Sequence, residues 1–184
     1  MKTLGTIQTL AKIGRVFSKI VFIFSIVGFC LGIAGIISLA AGAETVKLGG
    51  VTFESFIQDK ADISLGTIYA SITVGTIMCI GEAVLSKFSE HYFKREIADG
   101  TPFNADGAKE LKRLGILVIC IPVGTEIVCQ IVYEIFANVL KNVSEYSFEH
   151  NGSIMLGVMF IIMSLICKYG AERFEAEKSN IIMQ

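Results

Sequence analysis

Four long apolar blocks limit what this chain can become: Ile20–Ala40, Ile63–Leu85, Ile116–Leu140 and a shorter one from Gly152 to Tyr169. A helix needs about 20 apolar residues to cross roughly 30 Å of hydrocarbon. The first three blocks meet that length. The fourth has 14 uninterrupted apolar residues, Ile154–Cys167, and reaches the interfaces by recruiting Gly152, Ser153, Tyr169 and a snorkelling Lys168. The chain is 53% hydrophobic and 18% charged with two prolines, the profile of a small polytopic membrane protein. The blocks predict an all-α fold, one integral membrane four-helix bundle over residues 1–184, with spans at about 20–40, 63–85, 116–140 and 152–169.

Lys and Arg set the threading. The lead segment carries Lys2, Lys12, Arg15 and Lys19; the connection 87–115 carries Lys87, Lys94, Arg95, Lys109, Lys112 and Arg113; the tail carries Lys168, Arg173 and Lys178. These are thirteen of the sixteen basic residues. Connections 41–62 and 141–151 hold only Lys47, Lys60 and Lys141, with Glu44, Glu54, Asp59, Asp62, Glu145 and Glu149. By the positive-inside rule both termini and the loop 87–115 are cytoplasmic and the other two connections lie outside. That arrangement needs an even number of spans. The basic surface is expected to attract anionic lipid, while nucleic acid is excluded as a partner because Glu90, Glu96, Asp99, Asp106 and Glu110 break up the basic residues. Ala41-Gly42-Ala43 has the form of a signal-cleavage site, but the 21-residue run before it exceeds the 7–15 residues typical of a signal peptide core. An uncleaved anchor is expected.

No redox or metal chemistry is written here. Cys30, Cys79, Cys120, Cys129 and Cys167 all fall within apolar spans without CxxC or metal spacing, so they read as small apolar residues rather than a disulfide framework. His91 and His150 lie in connections on opposite sides. No metal or cofactor is expected.

Residues 1–19 place Leu4, Ile7, Leu10, Ala11, Ile13 and Phe17 at roughly helical spacing among basic residues, which predicts a short N-terminal interfacial helix or an unstructured basic lead. In the first span Ser25, Gly28, Gly32, Gly35 and Gly42 share a face of small residues, with Gly28 and Gly32 forming a GxxxG pair for close helix packing. Val51, Phe53, Phe56 and Ile57 predict that the first outer loop folds back on the bundle. The second span has a polar face of Thr67, Ser71, Gly75, Cys79 and Glu82, with Glu82 near the cytoplasmic interface. Between spans two and three, Asp99-Gly100 marks a turn, Thr101-Pro102-Phe103 an extended stretch and Asn104 an N-cap for a helix from Ala105.

The residues Tyr92-Phe93-Lys94-Arg95-Glu96, Gly100-Thr101-Pro102-Phe103-Asn104 and Lys109-Glu110-Leu111-Lys112-Arg113-Leu114-Gly115 resemble a bacterial family of small four-span membrane proteins carrying a domain of unknown function. Specific matching covers about 25 residues around the Pro102-Phe103-Asn104 cap and the Leu111 to Gly115 stretch. The resemblance implies an inner-membrane protein, and members are often encoded beside a small helix-turn-helix regulator, which implies a regulatory setting. It implies no activity.

The sharpest candidate site is in the third span. Glu126, Gln130, Glu134 and Asn138 recur every four residues, so one face of an apolar helix is polar. A carboxylate near the bilayer centre costs on the order of 3 kcal/mol on insertion scales. Hydrogen bonds to Gln130 or to the Ser/Thr face of span two would offset it. An acid–base pair made of Glu126 and Glu134 fails on distance, because eight residues of helix separate their backbones by about 12 Å, beyond the roughly 5–9 Å of paired glycosidase carboxylates. A two-carboxylate metal clamp fails likewise, and no HExxH, GxSxG or Walker loop is present. The expectation is therefore a non-enzymatic accessory or regulatory membrane protein, partnered by the bilayer and by another copy or another membrane protein. The alternative is a small oligomeric cation or proton transporter using Glu126, Gln130 and Glu134, with Pro122 and Gly124 loosening the helix beside them. A third class places function in the loop 87–115 and the tail from Glu172 to Gln184.

Overall fold

The computed structural model describes residues 2–41, 47–48, 51–52, 65–100, 104–140 and 151–182. Four helices, α1 (Lys2–Ala40), α2 (Leu65–Asp99), α3 (Ala105–Val139) and α4 (Asn151–Ile182), make up nearly all of it, and a two-residue antiparallel ladder, β1 (Lys47–Leu48) with β2 (Val51–Thr52), lies between α1 and α2. Each helix is long and apolar enough to cross a membrane. At most 17% of the apolar window in any of them is buried inside the protein. Phe24, Val139 and Met155 are 72%, 73% and 70% exposed, so the chain has an apolar exterior that water solvates poorly.

The lead segment is no separate interfacial helix. It continues into the first apolar block as one 39-residue helix, because nothing between Gly14 and Ile20 breaks an α-helix and Lys12, Arg15 and Lys19 all favour one. The connection from α2 to α3 ends the first and caps the second. Gly100 takes φ +74°, where a side chain would be strained, and its amide donates to Glu96 O at 3.1 Å. Asn104 then accepts the Gly107 amide through Oδ1 and the Ala108 amide through its carbonyl at 3.1 Å, the geometry of an N-cap. Thr101, Pro102 and Phe103 lie outside the described residues, as do Gly49-Gly50, Phe53, Phe56, Ile57 and His150.

The chain divides into two compact units, Met1–Phe22 with Val84–Pro122 and His150–Gln184, and Ile23–Ala83 with Val123–Glu149. The first unit carries thirteen basic and eight acidic residues, a formal +5; the second carries three basic and nine acidic, a formal −6. In the second unit α1 and α2 run antiparallel. A Cβ on Gly28 would meet Cys79 Sγ at 2.9 Å, one on Gly32 would overlap Thr76 Oγ1, and one on Gly35 would meet Ile72 Cγ2 at 3.5 Å. On the other side of α2, Gly81 abuts Thr125 of α3 and Cys129 Sγ donates to Val74 O at 3.8 Å.

In the first unit Phe93 of α2 covers Gly14 of α1, and Arg95 pairs with Glu110 of α3 at 3.0 Å. Helix α4 packs on α3 through Gly157, where a Cβ would meet Gly115 O at 2.8 Å and overlap Ile119 Cγ1. Further along α4, Cys167 lies near Tyr92 and Glu96 of α2. These contacts set the apolar run Ile154–Cys167 beside the charged parts of its neighbours, including Lys94, Arg95 and Lys109 to Arg113. The same run belongs to Ser153–Arg173, one of the four stretches long and apolar enough to cross a membrane. The close glycine contact decides the register, because bulky side chains elsewhere on α3 and α4 would hold the two backbones apart.

This register predicts a specific cross-link. In a chain whose other cysteines are replaced, Glu96→Cys should form a disulfide with Cys167 on mild oxidation and Leu85→Cys should not; mass spectrometry of the oxidised peptides checks both. Linkage from position 85 would mean that the apolar blocks align.

Candidate functional site

Glu126 and Glu82 are set on one side of the α2·α3 pair by the contact one residue before each. Gly81 and Thr125 face each other across the antiparallel α2·α3 pair. Each glutamate is the next residue, turned about 100° from that contact, and in an antiparallel pair both turns lead to the same side. Their axial offset is about 3 Å at 1.5 Å rise for each residue, and close-packed helix axes lie about 8–10 Å apart. Two carboxyl groups thus share one edge of the second unit. Ser25 of α1 joins them, its buried hydroxyl donating to Glu82 Oε2 at 3.4 Å.

The rest of the polar stripe behaves differently. Glu126 is half-buried, whereas Gln130, Glu134 and Asn138 are exposed, and Asn138 Nδ2 donates only to the Glu134 carbonyl of its own helix at 2.9 Å. The side of α3 that meets α2 is the one carrying Thr125 and Cys129, so the four-residue repeat of the stripe carries it progressively off that contact. On α2, Ser71 and Gly75 are likewise exposed, and no atom comes within 4 Å of a Cβ built at Gly75. The hydroxyls that do face the packing satisfy themselves locally: Thr76 donates to Ile72 O at 2.7 Å and Thr73 to Tyr69 O at 2.8 Å. Pro122 lies inside α3, where it removes the amide that would bond Val118 O, yet the helix runs through it to Val139.

Thr125 is not among the residues the sequence points to, whereas Ser25 is, as part of the small-residue face of the first span. Ser25 lies one step toward the N-terminus of Gly28, Gly32 and Gly35 on that face, and what the spacing does not show is that its hydroxyl meets Glu82. Thr125 carried no signal beyond its place before Glu126. Among the family-like residues, Leu111 is buried at 7% exposure, Gly115 meets α4 and Asn104 caps α3, all structural placements. No group of three or more His, Cys, Asp or Glu suited to a metal occurs among the described residues.

The first unit holds a second polar cluster, outside the apolar blocks. Tyr92 is hydrogen-bonded to Glu96 one turn on, and burial followed by the Glu96 charge pushes its phenol well above the ordinary range. Burial also pushes Glu96 up, against the pull of the Tyr92 hydrogen bond.

Comparison with protein-family models, with curated proteins and with solved structures finds no match to this chain.

A carboxyl group whose folded pKa is raised favours folding below its unfolded pKa, and that contribution is lost as the pH rises through the folded value. Glu96→Gln removes the titration while keeping an acceptor for Tyr92. The variant should therefore be more stable than the native chain at pH 7 and no more stable near pH 4, measured as melting temperature in detergent across that range; a constant difference would contradict the buried-carboxyl account.

Proposed function

We propose that this chain is a multi-pass inner-membrane protein of bacterial type, with both termini and the connection 87–115 on the cytoplasmic side. It acts as a non-enzymatic accessory or regulatory subunit that docks on another membrane-embedded helix through the polar stripe of α3. The observation that carries the docking role is the exposure of Gln130 and Glu134 within an apolar helix. Lipid offers an amide or carboxylate no hydrogen bonds, whereas a neighbouring helix does. The charge division supports the orientation, since the unit holding both termini and that connection carries the formal +5. The resemblance around Asn104 and Gly115 agrees with a regulatory setting.

Transport of protons or cations is the second reading, favoured by the placement of Glu82 and Glu126 on one side of the α2·α3 pair. Two measurements separate them. Under the docking reading, Gln130→Leu with Glu134→Leu should abolish oligomer formation or partner capture in native gels while leaving the melting temperature of the separated chain unchanged or raised. Proton or cation flux into proteoliposomes that falls at least tenfold in Glu126→Gln would overturn that reading in favour of transport. Orientation is checked separately: Ser147→Cys should react with an impermeant maleimide in intact cells, and Lys178→Cys only after permeabilisation.

A further inference from the structure

Where α1 and α2 cross in the first unit, three cations surround one carboxylate. Glu90, with its side chain only 14% exposed, accepts from Lys87 Nζ at 3.0 Å and lies 3.7 Å from Lys19 Nζ. Arg15 is close enough for its charge to act on the same carboxylate, and together the hydrogen bond and the three charges hold Glu90 below the usual carboxylate range. One negative charge against three positive leaves a formal +2. The two amines are not used up by the pairing, because the Lys19 and Lys87 side chains are 51% and 64% exposed. A further oxygen acceptor can therefore reach both from outside. Arg15 Nε is shut off from solvent and has no hydrogen-bond acceptor among the protein atoms. A buried donor without a partner is uncommon.

The position of this cluster narrows the anion. Lys19 directly precedes the apolar block Ile20–Ala40, and Lys87 follows Ile63–Leu85 by two residues. The Lys87 amine sits 5.0 Å from the centre of the Phe22 ring, and Val84, one turn from Lys87 on α2, is 42% exposed. An aromatic ring and basic side chains at the end of an apolar block mark headgroup depth. A free phosphate ion would gain nothing from the adjoining apolar surface, whereas a lipid would place its acyl chains against it.

We propose that Lys19 and Lys87 bind the phosphate of an anionic lipid headgroup, with Glu90 holding the two lysines in place until the lipid arrives and Arg15 adding positive charge behind them. The choice of lipid rests on the membrane reading above; the charge cluster does not. Glu90 is then a competitor for the same amines, so removing its charge strengthens the site.

The test uses the full chain in neutral detergent, with bound lipid counted by native mass spectrometry. The probes are phosphatidylglycerol, phosphatidylcholine of the same chains, and glycerol phosphate. Phosphatidylglycerol should bind at least fivefold more tightly than phosphatidylcholine. Lys19→Gln with Lys87→Gln should remove that preference, Lys109→Gln with Lys112→Gln should keep it, and Glu90→Gln should increase it. The proposal is overturned if both lipids bind alike, if the lysine pair at 109 and 112 matters as much, or if Glu90→Gln weakens binding. Glycerol phosphate binding as tightly as phosphatidylglycerol would overturn the lipid assignment and leave a free-phosphate site. Release of the chain from membranes by alkaline carbonate would sink the membrane reading on its own, in an assay that does not touch the lipid preference.

Discussion

Helices in this chain meet where side chains are missing, and every principal contact depends on that. Gly28 and Gly32 lie under Cys79 and Thr76, Gly81 under Thr125, and Gly157 against Gly115 and Ile119. In an apolar surrounding there is little hydrophobic gain in hiding one leucine behind another, so association depends on van der Waals contact and on hydrogen bonds that close approach permits. Most of the buried residues are accordingly small, among them Ala11, Ser18, Ser25, Ala70, Ala83, Ala108, Cys129 and Ser164, while Val74, Leu111, Leu114 and Val118 are the larger buried ones. Most of the large side chains point out. This inverts the order of a protein dissolved in water, and the inversion is the main physical reason to place the chain in a bilayer.

Close approach also decides where polar groups end up. Because α2 and α3 touch at Gly81 and Thr125, the next residue on each helix is turned to a common side, and those residues are Glu82 and Glu126. A bulkier residue at 81 would move the helices apart and separate the two carboxyl groups, so the site is a by-product of packing geometry. The rest of the stripe shows the opposite case. Gln130 and Glu134 rotate off the α2 contact and are left exposed on α3.

The existence of four helices, the Gly face of α1 and the Asn104 cap were legible because each has a local cause: a run of apolar residues, a repeat of small ones, a side-chain oxygen placed before a helix start. The continuity of α1 was less so, since basic residues among apolar ones read equally well as an interfacial helix or a loose lead. The register of α4 was not legible. It is fixed by a contact between Gly115 and Gly157, distant in sequence, and neither glycine belongs to a repeat that announces its partner. The placement of Glu82 and Glu126 on one side of the α2·α3 pair was hidden for the same reason, because it follows from which residue of α3 faces Gly81.

The placement of α4 bears on how the charge is arranged. Its apolar run lies along segments that hold Lys94, Arg95, Lys109 and Arg113, and its own stripe of Met155, Met159, Ile162, Ile166 and Tyr169 is at least half exposed. Apolar surface and excess positive charge are therefore presented by the same unit. An anionic bilayer surface favours that combination on both counts, since acyl chains accept the stripe while phosphates accept the lysines. Neither water nor a neutral apolar phase satisfies both.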